Sequence, residues 1–349
     1  MNPPDQENVK KWHQDALVFD GLLMWGNLDS RKNIQNMIQG NYAGANYTVA
    51  NHSHDFTGAL DNILKYRALL EENSDLLALA ISTKDIEQAK KQKKVGVVLG
   101  FQDSRAVEKV EYLDVFHSLG VRIIQLTYNA QNLAGTGCCD LSQGKITYHG
   151  QNVIRKMEKL GIALDLSHCA DETTESALAF AERPVLFTHV GVRKLCNAYG
   201  RCKTDKQLEM VAKKGGVAGI CFGPFLIKRD PKTWQILPST VADVADALDY
   251  MVKLIGVDHV GFGSDLVPIW QEMGRTPPDS SLRLWRTLRP DVFGRGPTEE
   301  YDPFPQGLQT FSELPNLTAE LVKRGYGAED VKKILGGNFL RVLKEIWGS

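Results

Sequence analysis

Histidines close two neighbouring apolar runs, "IALDLSH" ending in His168 and "PVLFTH" ending in His189. A carboxylate closes a third, "HVGFGSD" ending in Asp265. An imidazole titrates near neutrality and carries a nitrogen lone pair, so it can serve as acid, base or metal ligand. A carboxylate at the same depth can act as general base. A lone histidine at a strand end is more often a hydrogen-bonded structural group, but two on consecutive runs favour function. Asp265 either caps the segment that follows it or faces the site as a free carboxylate. Gln102-Asp103 and Tyr128-Asn129 end two further runs. After "ANYTVA" comes "NHSHD", with His52, His54 and Asp55. His52 is read as a replacement ligand or a substrate contact, or else the three residues decorate a polar loop and cap the next helix. Asp165 either orients a neighbour or holds its strand. Cys169 reads as packing, and His13, His117, His149 and His259 read as structural.

The elements that must position these residues alternate along the chain. Short β-rich runs lie at 16–22, 45–50, 95–102, 121–128, 162–168, 184–189, 216–222 and 259–265, each too short for a globular helix. Amphipathic stretches at 66–80, 149–161 and 239–256 read as helices. Eight strand–helix alternations predict an α/β fold, a (β/α)8 TIM barrel, with chemistry at the C-terminal strand ends. A doubly wound sheet is the alternative, but no Gly-x-Gly-x-x-Gly turn follows the first strand. One barrel domain over 1–349 is expected, with 266–306 as an insertion or lid after the eighth strand.

The 349 residues are 43% hydrophobic, enough for a large core, and the formal net charge of −1 gives no support to a nucleic-acid or anionic-membrane partner. No apolar run reaches membrane-spanning length, and no signal peptide or lipidation signal is read at the N-terminus. The six cysteines have no zinc-finger or Cys-x-x-Cys spacing, and adjacent Cys138-Cys139 argues against a disulfide framework. A cytoplasmic protein is expected; a homodimer is compatible with the sequence.

The words "GIALDLSH", "PVLFTH", "RCKTDKQLEMVAKKGGVAGICFGPFL" (201–226), "DHVGFGSD" and "GLQTFSELPNLTAELVKRGYGAEDVKKILGGNFLRVL" (307–343) resemble the renal-type membrane dipeptidases, peptidase family M19 of the amidohydrolase superfamily. The resemblance implies a TIM barrel of the metal-dependent hydrolase type with two zinc ions. It places metal-binding histidines at His168 and His189, a catalytic aspartate at Asp265, and a substrate-carboxylate arginine at Arg201, with Arg193 as rival. The family's His-x-Asp pair falls on Leu22 and Met24, its bridging glutamate on Gln102 and a substrate histidine on Tyr128. Leucine offers zinc no donor and methionine only a soft thioether. "LTYNAQNLAGTGCCD" (126–140) is similar to a divergent bacterial branch with such first-strand replacements.

The expected function is therefore a dipeptidase-like hydrolase of a small, carboxylate-bearing amide, with at most one zinc, held by His168 and His189. Asp265 and Tyr128 are the catalytic candidates; Arg201, Gln102 and His52 are the substrate-binding ones. The alternatives are a metal-free lyase or isomerase using Tyr128, His168 and Asp265, and a non-catalytic small-molecule-binding barrel.

Overall fold

The computed structural model describes residues 6–268, 281–296 and 304–348. The strands are β1 (Val18–Leu23), β2 (Tyr42–Ala50), β3 (Leu77–Leu79), β4 (Val95–Phe101), β5 (Val121–Gln125), β6 (Ala163–Asp165), β7 (Leu186–Val192), β8 (Cys202–Lys203), β9 (Val217–Cys221) and β10 (Val260–Gly263). All pairings among them are parallel, in the order β1-β2-β4-β5-β6-β7-β9-β10, with β3 on the edge of β4 and β8 on β7. The eight expected runs are the eight strands of this path. β10 comes back beside β1, where the Asp265 N–H donates to the Leu22 carbonyl at 3.1 Å. The fold is thus a nearly closed (β/α)8 barrel.

Two expectations need correction. The stretch 66–80 is not one helix: the helix Phe56–Glu72 stops at Asn73, and Leu77–Leu79 pairs with Val95–Val97. The leucines keep a helical spacing across the turn, but a parallel neighbour gives this backbone better partners than another helical turn. The expected strands at 121–128 and 162–168 also end early, at Gln125 and Asp165. Their last residues lie beyond the ladder, where they are free to turn toward the mouth.

Helix starts follow local chemistry. Asp55 caps Phe56–Glu72 by accepting the Gly58 N–H at 2.8 Å. Ser82 with Asp85 and Thr204 with Gln207 form capping boxes.

The floor of the barrel is apolar. Phe19, Ala43, Val98, Ile123, Ala163, Leu186 and Val217, one from each of seven strands, meet Phe339, Leu340, Leu343 and Ile346 of the C-terminal helix Asn338–Trp347. This plug leaves the opposite end for chemistry. Of the 266–306 segment, only 266–268, 281–296 and 304–306 lie among the described residues. There Val292 and Phe293 pack against Phe225 and a group of buried thiols. All six cysteines are free and buried. Among the described residues, no helix is long and apolar enough to cross a membrane.

Candidate active site

Strand β7 is drawn into the barrel beneath the mouth. A Cβ on Gly21, Gly219 or Gly263 would stand 2.5, 2.4 or 2.1 Å from the Thr188 carbonyl oxygen, so these three strands tolerate only glycine opposite that carbonyl. The approach sets His189, the next residue, deep in the mouth and fully buried.

His189 lies in a chain of hydrogen bonds. The Thr188 hydroxyl donates to Asp165 Oδ2 at 2.6 Å and stands 2.8 Å from His189 Nδ1. His189 Nε2 faces His168 Nε2 at 2.9 Å, and His168 Nδ1 meets Asn129 Oδ1 at 2.8 Å. Burial, reinforced by the nearby Arg201 and Lys203 charges, holds both imidazoles well below the usual histidine range. They are neutral at pH 7.

Tyr128 stacks on His168 with ring centres 4.3 Å apart, and His52 stacks on Tyr128 at 4.8 Å. The three rings form a wall of the mouth, and His52 Nδ1 is buried without a partner. Burial, then the Asp265 charge, raises the Tyr128 phenol, which stays protonated. His54 and Asp55 serve the local turn instead. Asp55 caps the helix, while His54 accepts the Asn51 N–H and meets Asn62.

Arg201 is fully buried. One terminal nitrogen donates to the Ser167 and His189 carbonyls at 3.0 and 3.2 Å, and its Nε and Nη2 have no partner. Arg193, the rival, is committed: its fork grips Asp171 at 2.6 and 2.9 Å and its Nε bonds the Cys202 carbonyl. Asp265 has left-handed backbone geometry, with φ of 53°. Its Oδ1 is buried and unpartnered; Oδ2 takes only a 3.8 Å contact from the Cys221 thiol. Burial lifts its carboxyl to about 7, against the opposing pull of Arg201.

The other side of the mouth is different. Leu22 and Met24 are buried, and the Gln102 amide donates to Thr48 Oγ1 at 2.8 Å and to Met24 Sδ at 3.5 Å. A two-metal centre does not fit this donor set. Among the described residues, no group of three or more His, Cys, Asp or Glu is arranged to hold a metal ion. His168 and His189 remain as a pair of nitrogens.

Of the groups that set these positions, sequence reasoning weighed Asp165 and passed over Asp20 and the clamping role of Asp103. Asp20, Asp103 and Asp165 each accept the N–H two residues on, and each reaches a neighbouring strand: Asp20 to Ser264 N at 2.7 Å, Asp103 to Tyr128 N at 2.8 Å, and Asp165 to Thr188 N at 3.1 Å. The available signal was a hydroxyl residue directly before a mouth residue, in Thr188-His189 and Ser264-Asp265. For Asp165, both readings hold, since it bonds its own turn and the next strand.

The model of the membrane dipeptidase family (peptidase family M19) matches residues 21–273 and 296–347. Dipeptidase tcpJ of Claviceps purpurea is 26% identical over 307 residues, which cover 86% of this chain and 62% of that protein. The chain spans only about six-tenths of the length of this and two further fungal dipeptidases. An amidohydrolase structure from Pseudomonas aeruginosa is 32% identical with a TM-score of 0.83, covering 98% of this chain and all of that one. The probable dipeptidase PvdM of the same organism shares the fold, with a TM-score of 0.80 at 18% identity over 98% of each chain. A barrel with histidines and an aspartate at these strand ends, matched over most of its length, belongs to the membrane dipeptidase family, peptidase family M19.

Proposed function

We propose that the chain is a dipeptidase-like hydrolase of a small amide of amino-acid type, using at most one metal and with little or no ordinary dipeptidase activity. The observation that carries this reading is a set of opposite charges with buried, unpartnered atoms: Nε and Nη2 of Arg201 and Oδ1 of Asp265. Buried polar atoms of this kind are costly unless a ligand meets them. Arg201 binds the substrate carboxylate through its planar fork. Asp265, ionised above about pH 7, takes the proton of the attacking water. The protonated Tyr128 hydroxyl and the free His52 Nδ1 give the ligand further polar contacts, while Gln102 serves the wall through Thr48 and Met24. His168 and His189 would hold the single metal ion; when bound, it supplies Lewis-acid polarisation of the scissile carbonyl.

A second reading, a metal-free lyase or isomerase, draws on the 2.9 Å approach of His168 and His189, which is a hydrogen-bonding distance. One experiment separates the two. Chelated and zinc-supplemented protein is assayed against dipeptides and N-acyl amino acids, with metal content measured in parallel. Hydrolysis of a carboxylate-bearing amide with at most one metal per chain supports the proposal. Two fully occupied metals, or silence under both conditions, sinks it. Non-hydrolytic turnover by the chelated protein selects the second reading.

A further inference from the structure

A side chain without partners is placed by the backbone that carries it. Asp265 is such a residue: Oδ1 is unpartnered and Oδ2 has the 3.8 Å thiol contact from Cys221. Its backbone has φ of 53°, a conformation that costs free energy in any residue with a Cβ. Ties on both sides must therefore hold the turn. On the entering side, Ser264 N and Oγ donate to Asp20, and the Asp265 N–H donates to the Leu22 carbonyl at 3.1 Å. On the leaving side, the Leu266 N–H turns back to Ser264 Oγ at 3.3 Å, and the Leu266 carbonyl accepts from Asn27 Nδ2 at 2.8 Å. The tie from the leaving side to another element runs through Asn27.

We propose that Asn27 is a positioning residue for Asp265: by joining the Leu266 carbonyl to the loop after β1, it holds the left-handed turn that sets the carboxyl in the mouth. This rests on the reading of Asp265 as the general base. Asn27 is buried, one residue past Gly26, which turns the chain with φ of 83°. Its amide nitrogen has two protons, and the second goes to the Met24 carbonyl at 3.0 Å. Both neighbours are carbonyls, so only the nitrogen can meet them and the orientation of the amide is fixed. Leu22 and Met24, whose side chains offer no donor of the family's kind, thus lend their carbonyls to the placement of Asp265. An asparagine that served its own loop alone would need the Met24 bond and not the one to a carbonyl 239 positions away.

Asn27→Ser tests the idea, because a short hydroxyl with one proton cannot serve two carbonyls. With the N-acyl amino acid or dipeptide that the parent turns over fastest, kcat should fall roughly tenfold to a hundredfold, the loss that a shift of about 1 Å in a catalytic group brings. KM should stay within a few-fold, because Arg201 is held by the Ser167 and His189 carbonyls and not through Asn27. In an Asp265→Asn background, Asn27→Ser should bring no further loss in kcat, since no base is left to misplace. A merely structural asparagine would lower the melting temperature and leave this pattern unmoved. Crystal structures of parent and variant give a readout without turnover: the Asp265 carboxyl should move by about 1 Å or more, with His168 and His189 in place. Asn27→Gln keeps both protons on an arm one methylene longer. It serves if Asn27→Ser does not fold, and the same selective loss in kcat is expected from it.

A folded variant with the parent's kcat overturns the proposal. So does a loss confined to KM, an equal further loss in the Asp265→Asn background, or an Asp265 carboxyl that keeps its place in the crystal. The crystal comparison needs no substrate, so a silent hydrolysis panel would count against the functional reading alone.

Discussion

The two sides of the mouth are made of opposite materials on the same framework. On the β6–β7 side stand His168, His189, Asn129 and Arg201, joined by hydrogen bonds between 2.8 and 3.2 Å. On the β1–β4 side stand the buried Leu22, Met24 and Gln102, the last closed on Met24 and on Thr48. Beneath both, the strand seams are clamped alike. Asp165 takes the Ser167 N–H and both donors of Thr188; Asp20 takes the Leu22 N–H and both donors of Ser264. The clamps therefore do not depend on the chemistry above them. Leu22 sits on an intact clamp, at a position where the resemblance to the family implies a ligand. Loss of the donors leaves the barrel closed because the buried carboxylate two residues earlier, not the donor itself, holds the strand end.

If the sides differ in function as they do in material, single substitutions should separate them. Asp265→Asn is expected to lower kcat/KM by about 10²–10⁴, the range for loss of a general base. Met24→Leu, on the replaced side, should leave it within a few-fold. The rate of the parent should rise with pH through about 7 as Asp265 ionises, and Asp265→Asn should lose that limb. Equal losses in the two variants would erase the comparison. Arg201→Ala removes a charge-assisted pair with the substrate, typically about 1.5–3 kcal/mol or roughly tenfold to a hundredfold in affinity. It also strands the Ser167 and His189 carbonyls, so titration with a carboxylate ligand should be accompanied by a melting curve. Arg201→Lys should restore stability better than binding, because the fork is lost. A folded Arg201→Ala that binds the ligand as tightly as the parent assigns Arg201 to structure alone.

The eight barrel strands were legible because parallel strands buried on both faces read as short continuous apolar runs. Strands β3 and β8 were not: Leu77–Leu79 continues a helical spacing, and Cys202–Lys203 is too short to carry any pattern. Of the site, the mouth residues could be read, since polar residues ending apolar runs stand out. The commitment of Arg193 to Asp171 could not, because an ion pair between the first residue of one helix and the first residue of another, 22 positions apart, leaves no periodic trace. Nor could the aspartate clamps as a set, although Asp165 reads as a residue that orients a neighbour or holds its strand. Asp20, Asp103 and Asp165 sit inside or beside apolar runs, and only the closed barrel brings Ser264 within reach of Asp20, 244 positions earlier.

The replaced side offers a sharper test. Gln102→Glu puts a carboxylate in a site whose neighbours are a thioether and one hydroxyl. A buried charge so poorly met should cost about 1–3 kcal/mol in urea unfolding. Combining it with Leu22→His and Met24→Asp rebuilds the family's donor types. In that triple variant, added zinc should raise the melting temperature, while in Gln102→Glu alone it should not. A triple variant indifferent to zinc would mean that the strand ends have moved apart as well as lost their donors.

The smallest effect concerns a clamp rather than the mouth. Burial lifts Asp103 to about 6, although Asn132, Arg105 N and Tyr128 N all donate to it. In the unfolded chain the same carboxyl returns to its ordinary value of 3.8. Between those two values the folded state binds more protons than the unfolded state. Stability from this group is therefore present in full below about pH 4 and declines as pH rises to about 6, by at most ~1.4 kcal/mol per pH unit. Asp20 and Asp165 are raised too, so the total curve does not isolate Asp103. The difference between the parent and Asp103→Asn does. Asparagine has no charge to bury; its single oxygen can serve either Arg105 N and Asn132 or Tyr128 N but not both sets, a loss that lowers the variant's stability by the same amount at every pH. Urea unfolding of the two proteins from pH 4 to 7 should show the variant gaining on the parent as pH rises. A parallel pair of curves would mean that the three donors already balance the burial of Asp103, and that the clamp beneath Tyr128 carries its charge at no cost to stability.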